Sequence, residues 1–209
     1  NRNDFSSVFG LRLRIVPDEM FELAKKLVNV IMPTVVGVMY SSFYKTGLQN
    51  CHFPKLVRIG QGAFDSCQIK ELNSKSFPAL ETIGDDGFRF CHFVSVDLPR
   101  LISVGEEGFR GCESLRQFSA QKLQNIGAGC FSNCPQLSSI DCLCGPEKFT
   151  CQLYDEDEDI YYACGECLIC YHDVEACLHC GGSGKLDEDV KINVDALDKV
   201  LQKFKVGVT

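Results

Sequence analysis

The chain has 209 residues, 45% of them apolar, and a formal net charge of −7, a composition that excludes a disordered chain. Its longest apolar run, Leu27 to Tyr40, is interrupted by Asn29, Pro33 and Thr34 and is too short to cross a bilayer. From Cys142 onward fourteen Asp/Glu stand against six Lys/Arg, leaving residues 1–141 near +1, so neither part carries the basic footprint of a nucleic-acid binder.

The length suits one elongated domain with a small appendage. No leader is visible and the chain starts at Asn1, so it reads as a fragment or a processed form. Residues 1–16 alternate loosely and could form one strand. Pro17 and Asp18 then read as a helix start, with Glu19 and Glu22 in the first turn. Met20, Leu23, Ala24, Leu27 and Ile31 share a face at helical spacing, and Pro33 ends the run. The expectation for residues 1–34 is an N-terminal cap with a helix.

From residue 35 to 141 one short pattern recurs five times. Its anchors are Phe43, Phe64, Phe88, Phe109 and Phe131, spaced by 21, 24, 21 and 22 residues. Four positions earlier stands Gly60, Gly84, Gly105 or Gly127, with Met39 in the first copy. Three positions later comes Thr46, then Cys67, Cys91, Cys112 and Cys134. A period in the low twenties marks a solenoid, whose units bury their apolar faces only by stacking. The segments "LVRIGQGAFDSC", "LETIGDDGFRFC", "LISVGEEGFRGCESL" and "LQNIGAGCFSNCPQL" resemble BspA-type leucine-rich repeats. That resemblance implies a binding and adhesion scaffold without catalytic residues of its own. The expected fold class is α/β: a leucine-rich-repeat solenoid with short parallel strands, an N-terminal capping helix and a small Cys-rich C-terminal module.

Each repeat is expected to hold a strand, an extended run to the Ile-Gly pair and a tight helical turn at the Phe. The repeat cysteines would then lie one rung apart, near disulfide distance, or act as a column of small buried side chains. If Leu72, Val96, Phe118 and Ile140 point inward, their neighbours point out. The outward column is Asn50, His52, Glu71, Asn73, Ser95, Asp97, Gln117, Ser119, Ser139 and Asp141. It is either a solvated sheet face or a recognition surface for a protein or glycan.

Residues 142–184 hold eight of the fourteen cysteines. The stretch "CLHCGGSGK" resembles the zinc region of DnaJ-type chaperones, and no J-domain accompanies it. Cys164, Cys167, Cys177 and Cys180 could close one tetrahedral zinc site; disulfides or redox chemistry are the alternatives. Cys142, Cys144, Cys151 and Cys170 could form a second site, with His172 or His179 as alternative ligands, or pair as disulfides. Asp155, Asp157, Asp159 and Glu166 occupy calcium-loop positions 1, 3, 5 and 12 of an EF-hand, but Ile160 replaces the turn glycine, which favours a solvated acidic loop. Residues 185–209 end in an expected helix with Leu197, Val200, Leu201 and Phe204 on one face.

No Ser-His-Asp set, phosphate loop or paired-carboxylate motif stands out, so the chain reads as no enzyme. The first reading is a non-catalytic binding or adhesion module at a microbial surface, as the repeat resemblance implies. The alternative is an intracellular adaptor or chaperone-like protein acting through the zinc module. Compartment separates the two: export favours disulfides, and a reducing cytosol favours thiolates for zinc.

Overall fold

The computed structural model describes residues 5–10 and 12–142, together with the backbone of residues 152–155 and 160–163. It is a parallel β-solenoid of six coils. One side is a six-stranded sheet formed by β2 (Ile15–Val16), β4 (Gly37–Val38), β6 (Arg58–Ile59), β8 (Thr82–Ile83), β10 (Ser103–Val104) and β12 (Asn125–Ile126). The other side is divided. There β1 (Ser7–Phe9), β3 (Asn29–Ile31) and β5 (Asn50–His52) form one sheet, and β7 (Leu72–Asn73), β9 (Ser95–Asp97), β11 (Gln117–Ala120) and β13 (Ser139–Cys142) form a second. Downstream, β14 (Gln152–Asp155) and β15 (Ile160–Ala163) pair as an antiparallel hairpin.

The core follows from the repeat. Phe21, Phe43, Phe64, Phe88, Phe109 and Phe131 are all buried. Their rings form one stack, with neighbouring centroids 5.0 to 5.9 Å apart and planes within 17° of parallel. Phe53, Phe77, Phe93 and Phe118 meet this stack edge-on. Fully burying one such ring contributes about 1.5–3 kcal/mol, and it does so only where a neighbouring coil covers it.

The backbone around each Phe has a fixed polarity. The residues two before, at and two after the Phe donate their N–H groups to carbonyls of the next coil. Glu19, Phe21 and Leu23 donate to Tyr40, Ser42 and Tyr44 at 2.9, 2.8 and 2.8 Å. The same triple recurs at every coil interface, ending with Glu107, Phe109 and Gly111 donating to Ala128, Cys130 and Ser132. The geometry needs a left-handed residue on each side of the Phe, and the pairs Glu19/Leu23, Ser41/Lys45, Gly62/Ser66, Asp86/Phe90, Glu107/Gly111 and Gly129/Asn133 supply it. For a residue with a side chain that conformation costs about 1–2 kcal/mol; the ordered inter-coil bonds hold it in place. The Phe segment is thus a run of β-turns, where a tight helical turn is the sequence expectation. The glycine before it serves close approach: a Cβ on Gly84 would lie 2.9 Å from Gln61 N and from the Gly60 carbonyl carbon.

The fold class needs correction. The described residues contain no helix, so they form an all-β solenoid and the N-terminal capping helix is absent. Residues 15–31 are instead a further coil. Val16, Phe21, Ala24, Leu27 and Val30 are buried where the next coil has Val38, Phe43, Thr46, Leu48 and Cys51, spaced by 22 or 21 residues. Met20, Leu23 and Ile31, expected on the helix's inner face, are 45%, 49% and 41% exposed. Glu19 and Leu23 have φ near +55° and +58°, outside any right-handed helix.

A candidate binding face on the divided sheet

Strand alternation sets the face. In β9, β11 and β13 the central Val96, Phe118 and Ile140 point inward, and parallel register aligns Ser95, Gln117 and Ser139 in one outer row. Asn73, Asp97, Ser119 and Asp141 form the second outer row through the pairs Asn73↔Asp97, Asp97↔Ser119 and Ser119↔Asp141. Glu71 precedes β7 and accepts a hydrogen bond from Asn73 Nδ2 at 3.2 Å. Ser95, Asp97, Gln117 and Glu71 are exposed; Asn73, Ser119, Ser139 and Asp141 are half-buried.

Asn50 and His52, also exposed, belong to the other sheet. The break lies between β5 and β7 and has a local cause. Asn73 Oδ1 accepts from the N–H groups of Lys75 and Ser76 at 3.0 and 3.2 Å, turning the chain early. The Phe53 N–H then bonds to the Ser76 carbonyl. Only a long 3.4 Å bond from Lys70 N to Gln49 O bridges the gap just before the strands.

The sequence column omits the face's apolar end. Phe9, Ile31 and His52 stand in register, and Phe9 is 64% exposed. Beside them runs an amide row: Asn29 Nδ2 donates to Ser7 Oγ at 3.2 Å, and Asn50 Nδ2 to Asn29 Oδ1 at 2.9 Å. Reading residues 1–34 as a cap hid Ser7, Phe9, Asn29 and Ile31. The spacing between Phe21 and Phe43 was the signal that reveals them.

Charge is handled differently on the two sides. At the turn edge, Arg89 reaches Asp65 at 2.9 Å, Asp86 at 3.0 Å and Glu107 at 3.5 Å, and Arg110 reaches Glu107 at 2.6 Å. Burial pushes the Asp86 carboxyl above its usual range; Arg89 opposes this, and the neighbouring carboxylates add to it. On the sheet face, among the described residues, no Lys or Arg pairs with Asp97 or Asp141.

The repeat thiols take part in the scaffold. Cys67, Cys91, Cys112 and Cys134 donate to the carbonyls of Phe43, Phe64, Phe88 and Phe109, one coil earlier, at 3.0 to 3.3 Å. They and Cys51 and Cys130 are free thiols, and Cys142 is disulfide-bonded. Burial pushes the Cys67 thiol up to about 12, against the pull of its bonds to Thr46, and drives Cys91, Cys112 and Cys130 upward as well. These sulfurs are shielded protonated donors. Cys164, Cys167, Cys177 and Cys180 lie outside the described residues, as do Cys144, Cys151, Cys170, the acidic loop's Asp157, Asp159 and Glu166, and the expected helix in residues 185–209. Among the described residues, no group of three or more His, Cys, Asp or Glu is placed to hold a metal, and no helix is long and apolar enough to cross a membrane.

The pattern of a BspA type leucine rich repeat region matches residues 36–155 in six copies. The chain belongs to the BspA-type leucine-rich-repeat family. The BspA-type chain is similar in structure to a leucine rich cell surface protein from Faecalibacterium prausnitzii A2-165, with 19% identity and a TM-score of 0.32, over 66% of this chain and 54% of that one. It is also similar to a leucine-rich repeat protein from Bacteroides ovatus ATCC 8483, with 16% identity and a TM-score of 0.25, over 66% of this chain and 61% of that one. The chain thus spans 54% and 61% of the length of these two solved structures. No curated protein matches the chain.

Proposed function

We propose that this BspA-type solenoid is a non-catalytic recognition module whose sheet face, from β7 to β13, binds a basic, hydrogen-bonding protein segment. The observation that carries this reading is that Asp97 and Asp141, which have no Lys or Arg partner among the described residues, are aligned on a face of small hydroxyl and amide side chains. At the turn edge, by contrast, Arg89 and Arg110 neutralise Asp65 and Glu107. Electrostatic complementarity would favour a cationic partner and make binding weaken with salt. Random-peptide display against the protein tests the proposal. Selected peptides should be rich in Lys and Arg, and should lose affinity for a triple variant with Glu71→Lys, Asp97→Lys and Asp141→Lys. Peptides that bind this variant equally well would place recognition elsewhere.

A second reading is favoured by Phe9. An exposed aromatic ring beside the Asn29 and Asn50 amides offers a glycan an apolar stacking face and adjacent hydrogen bonds. Binding on a glycan array that vanishes with Phe9→Ala would support it; binding unchanged by that substitution would remove it. A separate proposal rests on the sequence alone: Cys164, Cys167, Cys177 and Cys180 hold one structural zinc. Native mass spectrometry before and after chelation distinguishes bound zinc from disulfides.

A further inference from the structure

The face from β7 to β13 has a spacing as well as a charge. Asp97 and Asp141 occupy the same outer row, separated by the Ser119 rung. Two rungs of a parallel ladder span about 9.6 Å. A polyproline II helix has three residues per turn and rises about 3.1 Å per residue, so every third side chain recurs on one face at about 9.3 Å. A flat β-strand laid along the same axis repeats its facing side chains at about 6.7 Å or 13 Å, which misses both carboxylates.

The floor between the carboxylates points the same way. Ser119, between them, is small, and the parallel row beside it holds Ser95, Ser139 and the exposed amide of Gln117. A polyproline II backbone makes no internal hydrogen bonds, so its carbonyls need donors from the surface it lies on. Hydroxyl and amide side chains can provide them. An α-helical partner satisfies its own backbone and has no use for such a floor.

Among the described residues no Lys or Arg occupies the aspartate row: Lys70 and Arg116 stand three residues upstream of its positions, Lys75 two and Arg100 and Lys122 three residues downstream, and Arg100 is held by Glu81 at 2.8 Å. They border the face and leave the aspartate row open. We infer that this face takes an extended cationic peptide in polyproline II conformation, running along the solenoid axis with a basic side chain at every third residue. This rests on the sheet-face reading above and adds a conformation and a register to it.

The test uses two labelled peptides of identical composition, four repeats of Pro-Pro-Lys and a version with the four lysines in one block. Both are titrated by fluorescence anisotropy at low salt against the full chain and against the Asp97→Asn/Asp141→Asn double variant. The repeat peptide should bind the unaltered protein at least about five-fold more tightly than the block peptide, and the double variant should remove that margin. The exposed Glu113→Gln, away from this face, should change neither affinity. Equal affinities for the two peptides, both reduced in the double variant, would overturn the spacing while leaving the sheet-face reading in place. Affinities that ignore the double variant would overturn both. No binding of either peptide would overturn the polyproline II proposal. A cooperative melt of the double variant, matched to the unaltered protein, ensures that any loss reports binding.

Discussion

Cys67 Sγ donates to the Phe43 carbonyl oxygen across the coil interface at 3.0 Å. The same bond joins Cys112 to Phe88 at 3.3 Å, inside the stack. Each of these carbonyls also accepts a backbone N–H, from Thr46 and Cys91 respectively, so the thiol fills space and adds a second bond to a buried acceptor, which an apolar side chain of similar size cannot do. Cys112→Ser, which keeps a donor, should be more stable than Cys112→Val by about 1 kcal/mol in urea denaturation. A more stable valine variant would reduce the thiol to a space filler.

The same burial makes stability sensitive to base. The folded thiols of Cys67, Cys91, Cys112 and Cys130 are raised above their ordinary value, whereas in the unfolded chain they ionise near pH 8.5. The unfolded state therefore binds fewer protons once pH passes that value, and the native state is disfavoured. Stability should hold below about pH 8.5 and decline toward the Cys67 value of about 12, by up to about 1.4 kcal/mol per pH unit for each shielded thiol. Urea midpoints measured from pH 7 to 10 check this. A flat profile would mean that the thiols are not shielded.

Phe109 lies mid-stack, fully buried, with its ring 5.9 Å from Phe88 and 5.7 Å from Phe131. Phe109→Ala removes the ring from both coil interfaces and should cost about 3–5 kcal/mol. A loss below about 1 kcal/mol in urea would contradict the stack as the core of the solenoid.

Leu23 distinguishes a coil from a helix at the N-terminal end. Its side chain is 49% exposed and its φ is near +58°, a conformation that glycine adopts freely at the matching Gly111. Leu23→Gly should therefore stabilise the protein, by about 0.5–1 kcal/mol after the glycine's extra unfolded-state entropy. In a helix interior the same change would destabilise by about 1 kcal/mol. The sign of the shift in melting temperature decides between them.

The solenoid was legible in the sequence because each Phe, its preceding glycine and its following cysteine meet different demands of one coil. The first coil was not, for a physical reason. Ala24 and Leu27 are three residues apart and inward-facing in the coil, and the same spacing suits one face of a helix. Phe21 breaks the ambiguity, since it repeats Phe43 and its ring lies stacked on it at 5.0 Å. Side-chain alternation placed the outward column on the open face, because period-two alternation survives even in strands of two or three residues. The break after His52 was hidden. It arises where Asn73 captures two backbone N–H groups, and the only trace in the sequence is the longer spacing from Phe64 to Phe88.

Asp97 and Asp141 have no Lys or Arg partner among the described residues, whereas Asp65 is engaged by Arg89 and is 3% exposed. Carbodiimide labelling of carboxylates, read by peptide mass spectrometry with and without a display-selected basic peptide, tests directly whether a partner engages this pair. Asp97 and Asp141 should label readily in the free protein and become protected when the peptide binds, with Asp65 labelling poorly in both states. Labelling of Asp97 and Asp141 that stays unchanged while the peptide is bound would place recognition away from these two carboxylates.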